Sequence, residues 1–164
     1  MRANEDEVVD ALVNRNKDII VSWESVRDQN PSEYIEKGYL DADDNVRLRT
    51  VSECCNCFGA GYKGFQGSGA KHKFEEDTDI KRLKFYPNGE WDNHLTSDGN
   101  RFTEFHINSA ENDKYAWSRL TELNQKIALF SHEKISSSKY EAIFKGLYRV
   151  NKVESLKNKK VTYD

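Results

Sequence analysis

The sequence predicts an α+β domain built on a curved mixed sheet or a small barrel, with a long N-terminal helix and one inserted helix. Three observations carry this. Apolar residues recur at helical spacing over residues 5–28, they alternate in short runs from Val46 onward, and turn residues separate those runs. At 164 residues the chain is long enough for one core of its own, and no internal repeat is visible.

Taken in order, Val8, Val9, Leu12, Val13, Ile19, Ile20, Trp23 and Val26 form the apolar stripe of the first helix. Acidic residues crowd its first turn, where the helix dipole favours them, and Asn30-Pro31 ends it. Ser32 is placed to cap a short helix, SEYIEK, that Gly38 closes. Asp41 to Asn45, DADDN, is a turn. VRLRTV from Val46 alternates as a strand does, with the cluster Cys54, Cys55 and Cys57 at its end. Gly59 to Lys73, GAGYKGFQGSGAKHK, holds five glycines in fifteen residues and reads as a long mobile loop or as two strands with a glycine-rich connection. IKRLKFY alternates again, Pro87-Asn88-Gly89 is a turn, and Ser97-Asp98-Gly99-Asn100 is a hairpin signal.

RFTEFHI, Arg101 to Ile107, is the returning strand, with Phe102 and Glu104 on one face. Residues 110–125 read as the inserted helix, with Ala116, Leu120 and Leu123 inward and Trp117, like Trp23, a packing residue. KIALFS is a buried strand, and Lys139 to Val153 a long final strand. The boundaries that follow are an acidic amphipathic helix over 1–30, a domain over 31–155, and a frayed basic tail over 156–164 carrying Lys157, Lys159 and Lys160.

Composition excludes several classes. No apolar run approaches the roughly 18–20 residues of a membrane helix, and the N-terminus has no signal-peptide pattern, so a cytoplasmic protein with no membrane partner is expected. Three crowded cysteines are no disulfide framework. Cys54-x-x-Cys57 is half a zinc site, and nothing completes it, so no metal is expected. Net charge is −3, which argues against a strong non-specific nucleic-acid binder, yet it is uneven. Residues 1–44 carry 12 acidic and 5 basic side chains, the remaining 120 carry 16 and 20. No phosphate loop, nucleophile elbow or restriction-type metal motif is present, so neither catalytic residues nor a cofactor are assigned.

One stretch resists a structural explanation. In GEWDNHLTSDGN, Trp91 stands among Glu90, Asp92, Asn93 and His94, where a large aromatic has no apolar company. In extended backbone Trp91 and Asn93 point to the same side. A hairpin centred on Asp98-Gly99 sets Asn93 directly opposite Glu104. An indole, an amide and a carboxylate then line one pocket, the set a protein needs to stack on the face of an extruded base and read its edge. The same residues also fit a tryptophan capping a sheet edge beside an ordinary turn.

EYIEKGYLDADDNVRL, CFGAGYKGFQ, GEWDN and TEFH together resemble the recognition domain of the hydroxymethylcytosine-dependent, PvuRts-type restriction endonucleases, over roughly Glu33 to Val153. That domain is similar to SRA domains, which have a PUA-like fold and flip a modified cytosine into a pocket. The resemblance implies an SRA/PUA-like sheet, a modified-base pocket at Trp91, Asn93 and Glu104, and double-stranded DNA with modified cytosine as partner. Tyr148 on the final strand is a candidate second wall. Tyr62, Lys63, Phe65, Lys71 and Lys73 are candidates for a loop that follows phosphates and enters the gap left by the base. Family members carry a nuclease domain ahead of this one. Where it stands in them, this sequence has only the acidic helix, so the expectation is a reader without its own cutting activity, with a nuclease partner or a homodimer as candidate assemblies. The alternatives are a PUA-like RNA-binding or regulatory module and the recognition subunit of a split nuclease.

Overall fold

The structure, a computed structural model, describes Tyr34, 36–58, Ala60, Tyr62, 69–71, 77–122 and 125–164. The acidic helix expected over 1–30, with Trp23, lies outside these residues. Gly38, at φ +86°, closes the short helix as expected, its N–H donating to the Tyr34 carbonyl at 3.0 Å.

The strands among the described residues form two sheets. The first contains β1 (Arg47–Leu48), β2 (Gly69–Lys71), β3 (Thr78–Lys84), β6 (Lys126–Lys134) and β7 (Tyr140–Arg149), in the order β1-β7-β6-β3-β2. The second contains β4 (His94–Leu95), β5 (Phe102–Glu104) and β8 (Val161–Tyr163), in the order β4-β5-β8. β3 and β6 run parallel and the other pairs antiparallel, so the sheet is mixed as expected. Both sheets are curved and open rather than closed into a barrel. Part of the curvature has a visible cause. Leu129 pairs with Gly146 but Phe130 pairs with Phe144, so Lys145 is an extra residue on β7, and Gly146 takes φ +131° to make the bulge.

Alternation sorts the core to the two faces of the larger sheet. Ile80, Ala128, Phe130, Ala142 and Phe144 pack on one face with Val46, Leu48, Val51, Cys54 and Cys55. Leu83, Ile127, Leu129, Tyr148 and Val150 pack on the other with Phe102, Val161 and Tyr163 from the smaller sheet. β6 is buried on both faces, which is why KIALF reads as a continuous apolar run.

Several elements differ from the sequence reading. The VRLRTV strand stops at Leu48. Thr50 then caps α1 (Val51–Asn56), its side chain accepting from the Glu53 N–H at 3.2 Å, and Cys54 and Cys55 lie fully buried on that helix rather than at a strand end. Burial pushes the Cys55 thiol up to about 12 and that of Cys54 up as well. The inserted helix is α2 (Ser109–Thr121), capped by Asn108, and it presents Trp117 to solvent at 73% exposure instead of packing it.

The largest correction concerns the tail. Asn151 ends the final strand by capping α3 (Lys152–Asn158), and Lys159, at φ +55°, ends that helix. Val161, Thr162 and Tyr163 are then fully buried in β8, paired with β5 through Phe102↔Tyr163, Thr103↔Thr162 and Glu104↔Val161. The lysines of this segment precede a strand that completes the second core. Residues 156–164 therefore belong to the domain.

Candidate functional site

Two of the predicted residues are set by the hairpin. Gly99 turns with φ +74°, its N–H donating to Thr96 O at 2.9 Å, and Thr96 N–H bonds Arg101 O at 2.9 Å. His94↔Thr103 and Leu95↔Phe102 pair in β4 and β5, and Trp91 bridges His106. This is the register that places Asn93 opposite Glu104.

A cavity of about 460 Å³ opens beside this hairpin, bounded by the β3 run 81–84, by Asn88 and Glu90, and by Trp91, Asn93, Glu104 and Tyr115. Trp91 is half-buried at its wall. The rings of His106 and Tyr115 meet it edge-to-face, with centroids at 4.9 and 5.0 Å, and fix its plane. Asn93 is buried. Its Oδ1 accepts from Phe105 N–H at 3.2 Å and its Nδ2 donates to Lys84 O at 3.3 Å, so the amide ties the hairpin to β3 and keeps one N–H over.

Glu104 is 3% exposed and lies at the centre of a buried polar network. Lys81 Nζ donates to its Oε1 at 3.1 Å and lies 3.4 Å from Oε2. The Tyr115 and Tyr163 hydroxyls donate to Oε1 at 2.8 and 2.5 Å. Lys81 also reaches the Tyr115 hydroxyl at 2.6 Å. Behind Tyr163, Arg119 Nε donates to its hydroxyl at 3.2 Å, and Arg119 is paired with Asp79 at 3.2 Å and with Glu122. Burial by itself would raise the Glu104 carboxyl. The Lys81 charge and the hydrogen bonds from Tyr163, Tyr115 and Lys81 outweigh it and hold the group below the ordinary carboxylate value. Burial, then the Glu104 charge, raises both tyrosines, which remain neutral donors. The result is a desolvated carboxylate, with three donors on Oε1 and Lys81 alone, at 3.4 Å, on Oε2 among the described residues, behind a tryptophan. It can accept from an amine and reject a carbonyl.

The structure brings Trp91, Asn93 and Glu104 together and leaves Tyr148 elsewhere. Tyr148 is 4% exposed in the second core, edge-to-face against Phe102, with its hydroxyl donating to the Gly99 carbonyl at 2.5 Å. Its work is to hold the hairpin turn, and Tyr115 from α2 takes the place at the cavity that was expected of it. Tyr62 is likewise no inserting residue. Asn56 clamps its main chain, accepting from its N–H at 2.7 Å and donating to its carbonyl at 2.9 Å, and its ring packs against the first core. Lys63, Phe65, Lys73 and the side chain of Lys71 lie outside the described residues. Lys81, Tyr115, Tyr163 and Arg119 escaped the sequence reading as site residues. Lys81 carries a signal of its own, a lysine at an inward position of an alternating strand.

Among the described residues no helix is long and apolar enough to cross a membrane. Residues 33–164 match the family model described as "SRA: SET and RING associated domain". Among solved structures, the chain is similar to "The 5-Hydroxymethylcytosine-Specific Restriction Enzyme AbaSI", at 28% identity and a TM-score of 0.69. That match covers 89% of this chain and 48% of the AbaSI chain, so this chain spans about half the length of that enzyme. No curated protein matches in sequence.

Proposed function

This chain belongs to the SRA family of modified-cytosine recognition domains, and from that premise we propose that it is a DNA reader that everts a modified cytosine, hydroxymethylcytosine or a derivative of it, into the cavity beside Trp91. The observation that carries the reading is the convergence of Trp91, Asn93 and Glu104 on one cavity of about 460 Å³. The similarity to an enzyme named for 5-hydroxymethylcytosine supports the choice of base.

The chemistry follows from the groups present. The Trp91 indole offers a stacking surface worth about 1–3 kcal/mol per base, which offsets part of the unstacking cost. Glu104 Oε2 accepts from the exocyclic amine of cytosine. A thymine or uracil would turn a carbonyl toward the same buried carboxylate and be rejected. Lys81 supplies a donor for the ring nitrogen. We assign the remaining Asn93 N–H to a hydroxyl on the 5-substituent. A base lacking that hydroxyl leaves the donor unpaired, at a cost of about 1–3 kcal/mol, or roughly tenfold to a hundredfold in affinity. Lys63, Lys71 and Lys73 are proposed to follow the backbone around the everted nucleotide, and Phe65 to enter the gap that the base leaves.

We read the chain as non-catalytic, with cleavage, where it is coupled to recognition, belonging to a nuclease partner. Gel shifts on matched duplexes carrying cytosine, methylcytosine, hydroxymethylcytosine or its glucosylated form test the reading. Preference for a hydroxyl-bearing base is expected, and equal binding to all four defeats it. Incubation of the hydroxymethylated duplex with magnesium should leave it uncut; cleavage by the pure chain would refute the non-catalytic assignment.

A further inference from the structure

The sheet face opposite Glu104 carries a second group of polar side chains. Along β3, Lys81 and Leu83 face the cavity side, and Arg82 and Lys84 face the other, with Ile80. Their partners on the parallel strand β6 are Phe130 and His132. His132 is held on both sides. The Tyr86 hydroxyl lies 2.6 Å from its Nδ1, and the Tyr140 ring stacks parallel to it, with centroids at 4.9 Å. When Tyr86 donates to Nδ1, the ring carries its proton on Nε2, a donor with no partner among the described residues.

Among the described arginines that are not exposed, Arg82 is the exception. Arg47 pairs with Glu141, Arg101 with Asp164, and Arg119 with Asp79. Among the described residues no carboxylate pairs with Arg82, and its buried Nε has no hydrogen-bond partner. The carboxylates nearest His132 along the two strands are already engaged, Glu133 by Lys145 and Glu141 by Arg47 and Lys139. Both cations bear on the imidazole. Burial first, then the charges of Arg82 and Lys84, lowers His132 to about 4, so it stays neutral at ordinary pH. A half-buried arginine whose buried Nε has no partner among the described residues is left with unmet hydrogen-bonding capacity. Beside an ammonium and a neutral N–H it forms a site complementary to one tetrahedral anion, which the planar guanidinium can bind through two parallel hydrogen bonds.

We propose that Arg82, Lys84 and His132 form a phosphodiester-binding site that holds the DNA backbone next to the everted nucleotide. Arg82 and Lys84 also border the cavity, so the site adjoins it. The proposal rests on the DNA-reading assignment above, but it fails separately. The pocket governs the ratio of modified to plain binding, and this site governs affinity for both and its dependence on salt.

The test is the slope of log affinity against log salt for modified and plain duplexes, with wild-type protein, Arg82→Gln and Arg82→Lys. One lost phosphate contact lowers the slope by about 0.9. Arg82→Gln is expected to show that loss and to weaken both duplexes by the same factor, and Arg82→Lys to retain most of the slope. Equal melting temperatures exclude a folding defect. An unchanged slope in Arg82→Gln overturns the proposal. A parallel titration with inorganic phosphate at constant ionic strength, followed by the His132 ring signals in ¹⁵N-histidine spectra, separates the two sources of the anion. Phosphate that shifts those signals while the DNA slope of Arg82→Gln matches wild type marks a free-anion site and overturns the DNA assignment.

Discussion

The Tyr163 hydroxyl lies 2.5 Å from Glu104 Oε1, so the penultimate residue of the chain supports the carboxylate at the back of the cavity. Tyr163→Phe keeps the ring stacked on Phe102, at 4.2 Å between centroids, and removes the hydroxyl that donates to Glu104 and accepts from Arg119 Nε. The expected cost is about 1.5–3 kcal/mol, as for a hydrogen bond to a charged group, measured by urea unfolding. The pH dependence has a defined sign. Glu104 is held below its unfolded value, so its contribution to stability is present above the ordinary carboxylate range and is lost as pH falls through the folded value. Without the tyrosine donor the folded value rises, and the acid limb of stability and of specific binding should move to higher pH. An acid limb superimposable on wild type would refute this role.

Lys81 and Glu104 should behave as a coupled pair. Lys81→Met leaves a buried carboxylate uncompensated and is expected to cost about 3–5 kcal/mol. Lys81→Met combined with Glu104→Gln removes both charges and should cost less than the sum of the single changes. Additive costs would show that the 3.1 Å contact carries no coupling.

The two tryptophans of the described domain should separate binding from stability. Trp91→Ala is expected to abolish preference for the modified base, a loss of about 1–3 kcal/mol in binding. Trp117, at 73% exposure on α2, should tolerate alanine with neither stability nor preference changed, as measured by melting and by gel shift.

Removal of residues 159–164 deletes β8 and with it Val161 and Tyr163, both fully buried. The domain should fail to give a cooperative melting transition. A frayed tail would be lost without effect, so a truncated protein with wild-type melting would contradict the placement of β8.

The hairpin was legible in the sequence because its register depends on local chemistry alone. Ser97-Asp98-Gly99-Asn100 sets the turn, and the two-residue period then places Asn93 and Glu104. The helix carrying Cys54 and Cys55 had a signal too, since Thr50 and Glu53 stand at the spacing of a capping box, but the alternation of VRLRTV competed with it. Asn151 and Glu154 repeat the same spacing ahead of α3. The network around Glu104 was not legible. Lys81, Tyr115 and Tyr163 stand 23, 11 and 59 residues from it, and only tertiary packing brings them together. Tyr148 was misplaced for the related reason that alternation gives a face but not which side chains share it.

The central claim is that an everted modified cytosine rests on Trp91, and the emission of that residue reports it most directly. With Trp23→Phe and Trp117→Phe, Trp91 is the remaining tryptophan of the chain. Addition of a hydroxymethylcytosine duplex should quench it strongly, and the matched cytosine duplex should quench it far less at equal occupancy. Tight binding of the modified duplex with Trp91 emission unchanged would contradict the account.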